Sequence, residues 1–306
     1  MEEVKITEPP KEYMNNTKVG RVISHYEGII DSGDFEVLTL PRNDATTAVN
    51  LLKDQNVECS KSITLFDMAV MDSIYTLYKS GMECFTFQML YNTLTGNFEQ
   101  DLPEEKRKPL LDSIEKLRHV DITINCTDEL RARKKIGKKD TMVYKSYLLP
   151  ISEVDIKLGN RKMIRGYKLL EMPALYAYAE LLEQIVDAPT QVFRTQKRLP
   201  DSNEAVLMKR YLVQRIAAMK NNKNHMDSKK ISYQWYDRKT KTEKGLYAVL
   251  GYRQEDYATK SSWSNKKKKI HNMVCKILDT MVEENYIKGY QELRDGQSLA
   301  GVEIEL

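Results

Sequence analysis

Residues 261–285 read SSWSNKKKKIHNMVCKILDTMVEEN. Ile270, Met273, Val274, Ile277, Leu278, Met281 and Val282 recur at i, i+3, i+4, i+7, i+8, i+11 and i+12, one stripe of an amphipathic helix. Ser261 or Ser262 is the expected N-cap, and Trp263 the anchor of the helix start rather than a base-stacking residue. Lys266, Lys267, Lys268 and Lys269 are expected in the first turns. Cations there oppose the helix dipole, at a cost of a few tenths to about 1 kcal/mol each. A polyanion laid against that end offsets the conflict; a solvated lysine cluster is the plain alternative. Lys268, Lys269, Asn272 and Lys276 fall away from the apolar stripe and are expected to enter a DNA groove. Lysines suit phosphates, whereas Asn265 and Asn272 suit adenine edges.

Working outward, YIKGYQEL, Arg294-Asp295-Gly296 and LAGVEIEL close the chain as a hairpin, Asp-Gly being a favoured two-residue turn. Arg294 near that turn joins the candidate DNA contacts. Upstream, Asp201-Ser202-Asn203-Glu204 resembles a capping box. The helix it opens carries Met208, Tyr211, Leu212, Ile216 and Met219. DSKKISYQWY (227–236) is read as a shorter helix.

The same order precedes it. TLFDMAVMDSIYTLYKSG (64–81) predicts a helix stopped by Gly81, and CFTFQMLYNTLTG a β-like start and a shorter helix stopped by Gly96. Pro103 opens a third helix, PEEKRKPLLDSIEKL, which Pro109 either kinks or delays to about Lys108. Strands follow at 120–126 and 153–158, where Gly159–Asn160 turns the chain back into RKMIRGYKLL. PALYAYAELLEQIV (173–186) reads as a further helix. LLDSI at 110–114 echoes ILDTM at 277–281. The fold expected is α+β, two tandem winged helix-turn-helix domains related by internal duplication, at 61–187 and 188–306. Residues 1–60 are expected to be largely disordered or extended, with VLTLP (37–41) a short strand and TTAVNLLK (46–53) a helical turn or two. Lys106, Arg107 and Lys108 start the first unit's long helix where Lys266–Lys269 start the second's. Arg161, Lys162 and Arg165 give the first hairpin a basic wing, beside the basic stretch 131–139.

Charge is distributed unevenly. Residues 1–130 hold 13 Lys and Arg against 23 Asp and Glu, a balance of −10, and 131–306 hold 35 against 21, a balance of +14. An acidic front and a basic back suit a polyanion binder. No apolar run reaches the roughly 18–20 residues of a membrane span, and MEEVKITEPPKEY has no apolar core of a signal peptide. Cys59, Cys84, Cys126 and Cys275 are scattered without a Cys-x-x-Cys pair, which speaks against a zinc or disulfide framework and for a reducing cytoplasm. No phosphate loop, nucleophile elbow or histidine pair points to catalysis; His25, His119, His225 and His271 are isolated. Neither an enzyme nor a cofactor is expected.

In layout, ITLFDMAVMDSIYTLYKSG with FTFQMLYNTLTG, and the late blocks KKISYQWY and SNKKKKIHNMVCKILDTMVEENYIKGY, resemble plasmid replication initiators of the theta-replicating Rep type. The resemblance spans about residues 60–306. It implies two winged domains that bind double-stranded DNA at origin repeats as a monomer, recruit host replication proteins, and repress their own promoter as a dimer. The helix at 262–285 then resembles the major-groove reader and 104–118 its partner, from which Pro109 departs. The alternative is a winged-helix transcriptional regulator. Direct repeats of a roughly 20-base-pair site favour initiation and a single palindrome regulation. In a protein-interaction module, a third class, the basic faces would be incidental.

Overall fold

In a computed structural model of the chain, residues 8–17, 20, 49–52, 57–59, 63–157, 163–194, 202–220, 227–237, 242–296 and 298–306 are described. The fold is mixed α+β, and the chain divides into two compact units, 1–187 and 188–306.

The first unit runs β1 (Lys11–Asn15), β2 (Val49–Leu52), β3 (Val57–Cys59), α1 (Leu65–Lys79), β4 (Cys84–Thr86), α2 (Phe87–Thr95), α3 (Glu104–Leu117), β5 (Asp121–Asn125), α4 (Thr127–Ala132), β6 (Val143–Tyr147), β7 (Ile151–Ile156), β8 (Ile164–Leu169), α5 (Ala174–Leu181) and β9 (Ile185–Pro189). The apolar run predicted at 64–81 forms α1, the central rod. From Asp67 to Leu77 every residue is buried, so the helix is enclosed on all sides rather than on one stripe. Thr64 caps it in a reciprocal box with Asp67. The Asp67 carboxylate also accepts from Ser113 Oγ (2.7 Å) and Lys116 Nζ (2.7 Å), fastening α1 to α3. On the opposite side β1 is sewn to α1. Tyr13 N–H donates to Thr76 Oγ1 and Asn15 N–H to Asp72 Oδ1, both at 2.9 Å. Tyr75 stacks on Tyr176 with centroids 4.4 Å apart. These bonds carry part of the N-terminal segment into the core; the reading of 37–41 as a strand lies outside the described residues.

Besides the two-stranded β1-β9 sheet, two larger sheets belong to this unit. One has the order β2-β3-β5-β6, the other β4-β8-β7, all neighbours antiparallel. The segment 46–53 is corrected: Val49–Leu52 is a strand paired with β3. Isolated short helices are marginal, and a sheet edge offers the same backbone groups immediate partners. The helix read at 173–186 is also shorter. It stops at Leu181, Glu183 takes a left-handed φ of 56°, and the β-branched Ile185 and Val186 continue as β9.

The second unit runs α6 (Asn203–Lys220), β10 (Ser228–Ser232), β11 (Trp235–Asp237), β12 (Thr242–Lys244), α7 (Leu246–Val249), α8 (Lys260–Glu283), β13 (Gly289–Asp295) and β14 (Ser298–Glu305). Its core joins Met208, Leu212, Ile216 and Met219 of α6 to Ile270, Val274, Ile277, Leu278 and Met281 of α8, with Val302 and Ile304 from β14. The segment 227–236 is corrected from helix to strand. Ile231 and Tyr233 are buried while Lys230 is exposed, a period of two that pairs β10 with β14. Gly301 is needed at that pairing, because a Cβ there would lie 2.3 Å from Ile231 O. Asp295 is still paired, opposite Ser298, so the hairpin turn begins at Gly296 (φ 59°), one residue later than the Asp-Gly reading.

The two units share an order. In each, a helix is followed by a short strand, a short helix, a long helix and a hairpin, and the short strand pairs with the hairpin's last strand: β4-β8-β7 and β10-β14-β13. The first unit inserts β5, α4 and β6 before its hairpin; the second inserts the β11–β12 hairpin before its short helix.

Candidate nucleic-acid interface

The helix α8 begins earlier than its lysines. Thr259, not Ser261 or Ser262, is the N-cap; its hydroxyl accepts from Ser262 N–H (3.0 Å), and Ser262 Oγ closes the box at N3. A Thr with a hydroxyl three residues on satisfies two free amides, which a cap at Ser261 or Ser262 would leave open. Lys266–Lys269 therefore stand at the seventh to tenth helical positions. The dipole effect fades within the first turn, so the expected conflict with the helix terminus is largely absent.

Burial along α8 sorts the basic run into two groups. Asn265, Lys268, Lys269, Asn272 and Lys276 are exposed, and Asn265, Lys268, Asn272 and Lys276 follow one another at steps of three and four. They form a single outward stripe, opposite buried Ile270, Val274 and Ile277, that is basic from Asn265 to Lys276 and turns acidic at exposed Asp279 and Glu283. Lys266 and Lys267 turn elsewhere. Lys266 Nζ lies 2.6 Å from Glu204 Oε1 on α6 and 4.4 Å from the Tyr252 ring centroid. Burial pushes the Glu204 carboxyl upward, but hydrogen bonds from Lys266 and Tyr252 outweigh it and hold the group below the usual carboxylate range. Lys267 sits 5.7 Å from the ring centroid of Trp263. Trp263 is itself buried, edge-on to Tyr247 and tilted against Tyr257. Lys266 thus fastens the start of α8 to α6, while Lys267 packs on a ring of its own helix.

The hairpin beside α8 is not basic. Arg294 is exposed, but its guanidinium is 2.8 Å from Glu292 Oε2, and Asp295 adjoins it. Arg294 thus carries an ion pair rather than an unopposed charge.

In the first unit, α3 begins at Glu104 with Pro103 as N-cap, and Pro109 lies inside it. A proline at the sixth position withholds an amide from the Glu105 carbonyl, which lies on an exposed residue and can be hydrated. Arg107 pairs with Glu104 (3.4 Å) and stands over Phe87 (5.8 Å). Lys108 is exposed between Glu104, Glu105 and Asp112, which are exposed too, and Lys106 is half-buried. Arg165 on β8 is 2.8 Å from Glu153, which also accepts from Arg118 at 2.8 Å. Arg161 and Lys162 lie outside the described residues. In the stretch 131–139, Arg131 donates to Asp140 O (2.9 Å) and Arg133 pairs with Glu183 (2.9 Å).

One grouping escaped the sequence reading. His271 and Cys275, one turn apart on α8, meet Glu292 of β13, with His271 Nε2 2.9 Å from Glu292 Oε1 and 3.5 Å from Cys275 Sγ. The helical i, i+4 spacing of His and Cys was visible; the third member comes from the hairpin and was not.

Among the described residues no helix is long and apolar enough to cross a membrane. No family model matches the chain, and no curated protein matches it. Among solved structures it is similar to selenomethionine derivatives of domains 2 and 3 of RctB, at 11% identity and a TM-score of 0.40, covering 91% of this chain and 95% of that one. A second structure of RctB domains 2–3 gives 10% identity and a TM-score of 0.39, covering 88% and 94%.

Proposed function

We propose that the chain is a sequence-specific double-stranded DNA-binding protein, an initiator of plasmid or mobile-element replication that binds origin repeats and recruits host replication proteins. The observation that carries this reading is the outward stripe of α8. It sets two asparagines among three lysines, with the apolar face turned inward and a hairpin alongside. A helix of that composition matches a major groove: lysines reach phosphates on either rim, and asparagine can bond the N6 and N7 edge of adenine. We read both units as winged helix-turn-helix domains related by duplication, because their strand orders coincide. Two such units in one chain suit two successive segments of a repeated site, bound by a monomer. A dimer would serve autoregulation. The reading assigns the chain no catalytic step and places it in the cytoplasm.

A second reading is favoured by one observation. The exposed face of α3 mixes acids with bases, so a single reader per chain is also consistent, as in a transcriptional regulator that dimerises on a palindrome. Selection of bound sequences from a random duplex pool separates the two. Direct repeats of about 20 base pairs support initiation, a lone palindrome supports regulation, and no enrichment overturns sequence-specific binding.

A further inference from the structure

We infer that His271, Cys275 and Glu292 form a binding site for a thiophilic divalent cation, zinc foremost, that ties the middle of α8 to the first strand of its hairpin. The three donor atoms all lie within 4.8 Å of one another. They are an imidazole nitrogen, a sulfur and a carboxylate oxygen, the mixture that suits zinc and disfavours magnesium or calcium.

Two of the three donor–donor edges can be set against a tetrahedral ion, and the third, from Cys275 Sγ to the Glu292 carboxylate, is within 4.8 Å. With Zn–S about 2.3 Å and Zn–N about 2.0 Å, the S···N edge of a tetrahedron is about 3.5 Å, and Sγ stands 3.5 Å from Nε2. The corresponding N···O edge is about 3.3 Å. Glu292 Oε1, now 2.9 Å from Nε2, has only to withdraw by about 0.4 Å. It can do so because its side chain is on an exposed strand residue.

The surroundings hold the donors as a metal site would. Tyr233 Oη lies 2.8 Å from His271 Nδ1, and the tyrosine is buried, so the ring is fixed from behind by a polar partner. A hydrogen bond to the ring nitrogen that faces away from the ion sets the imidazole's tautomer. Arg294 takes the other oxygen of Glu292 at 2.8 Å, leaving Oε1 for the ion. Without an ion, Nε2 faces a carboxylate and a thiol together, and a single N–H can serve only one of them. With an ion all three donors are satisfied. The Sγ proton leaves to solvent, and the one ring proton resides on Nδ1 and is donated to Tyr233 Oη. The fourth position is left to water. This inference does not rest on the DNA-binding reading.

The test uses the full reduced chain, stripped with chelator and titrated with zinc against a chromophoric competitor, then loaded with cobalt(II). One equivalent of zinc and a thiolate-to-cobalt charge-transfer band are expected. Cys275→Ser removes the band, while Cys84→Ser, on an exposed cysteine elsewhere, leaves it intact. Glu292→Gln weakens zinc binding while leaving the buried groups in place. Tyr233→Phe keeps the ring and lowers zinc affinity by about 10–100-fold. The site is refuted if no stoichiometric zinc is retained, if cobalt gives no thiolate band, or if the band survives Cys275→Ser or disappears in Cys84→Ser.

Discussion

The helices α3 and α8 occupy the same place in the order of their units, and each carries a basic run near its start, yet their outer faces differ. On α8 the exposed stripe is Asn265, Lys268, Lys269, Asn272 and Lys276, and the two lysines that do not join it are bound within the unit by Glu204, Tyr252 and Trp263. On α3, Arg107 is paired with Glu104, and Lys108 shares its face with Glu104, Glu105 and Asp112. A run of like charges in a sequence therefore does not measure the field a helix presents. What matters is which members are neutralised by neighbours, and acids three or four positions away count as much as the lysines themselves. By that measure the outer face of α8 is basic from Asn265 to Lys276 before turning acidic at Asp279, whereas α3 mixes both signs from its first turn. The proposed reading therefore sets DNA against α8.

The sharpest way to break this comparison is to remove each set of cations. Lys268→Ala, Lys269→Ala and Lys276→Ala together should lower duplex affinity about 100-fold or more near physiological salt, and the corresponding change at Lys106, Arg107 and Lys108 less than about tenfold. Equal losses measured by fluorescence anisotropy would show that both helices face DNA.

Next in size is a stability effect in the first unit. Asp67 is buried and receives Ser113, Lys116 and the cap of α1. Asp67→Ala should cost about 3 kcal/mol in urea unfolding, since it strands the partners of a buried carboxylate. A loss below about 1 kcal/mol would mean that α1 and α3 are held by apolar packing alone.

Asn272→Ala should cost about 1–3 kcal/mol at one base position of the selected site and little elsewhere. A uniform loss across sequences would deny it a reading role. Smallest is the Lys266–Glu204 contact. Glu204→Gln should lower the melting temperature slightly at pH 7 and leave the salt dependence of DNA binding unchanged. Its carboxyl is held below the usual range, so the folded state favours the ionised form. That contribution is present above the unfolded value of about 4.3 and lost as pH falls through the folded one. The melting difference should vanish in acid; one that persists there would assign the effect to packing.

Much of the architecture was legible because long apolar periodicities leave few alternatives. The stripe from Ile270 to Met281 and the run from Met68 to Leu77 could be little else but helices. Short segments misled. KKIS at 229–232 is too brief for its period to declare itself, and its strand character comes from β14, some seventy residues away. Ile185 and Val186 read as helix in the sequence because an apolar run has no visible break where Glu183 supplies a left-handed turn without glycine. The site was legible as a composition but not as a geometry. Nothing near Lys266 announces Glu204, and nothing near His271 and Cys275 announces Glu292, since both carboxylates arrive from other elements.

The most direct test is the dependence of duplex affinity on salt, for the native chain and for the variant lacking Lys268, Lys269 and Lys276. Each phosphate contact contributes a slope of about −0.9 in log K against log salt. The native chain should show a steep slope that flattens by roughly 2–3 units in the variant. A native slope near zero, or one the variant leaves unchanged, would contradict the placing of nucleic acid against the outer face of α8.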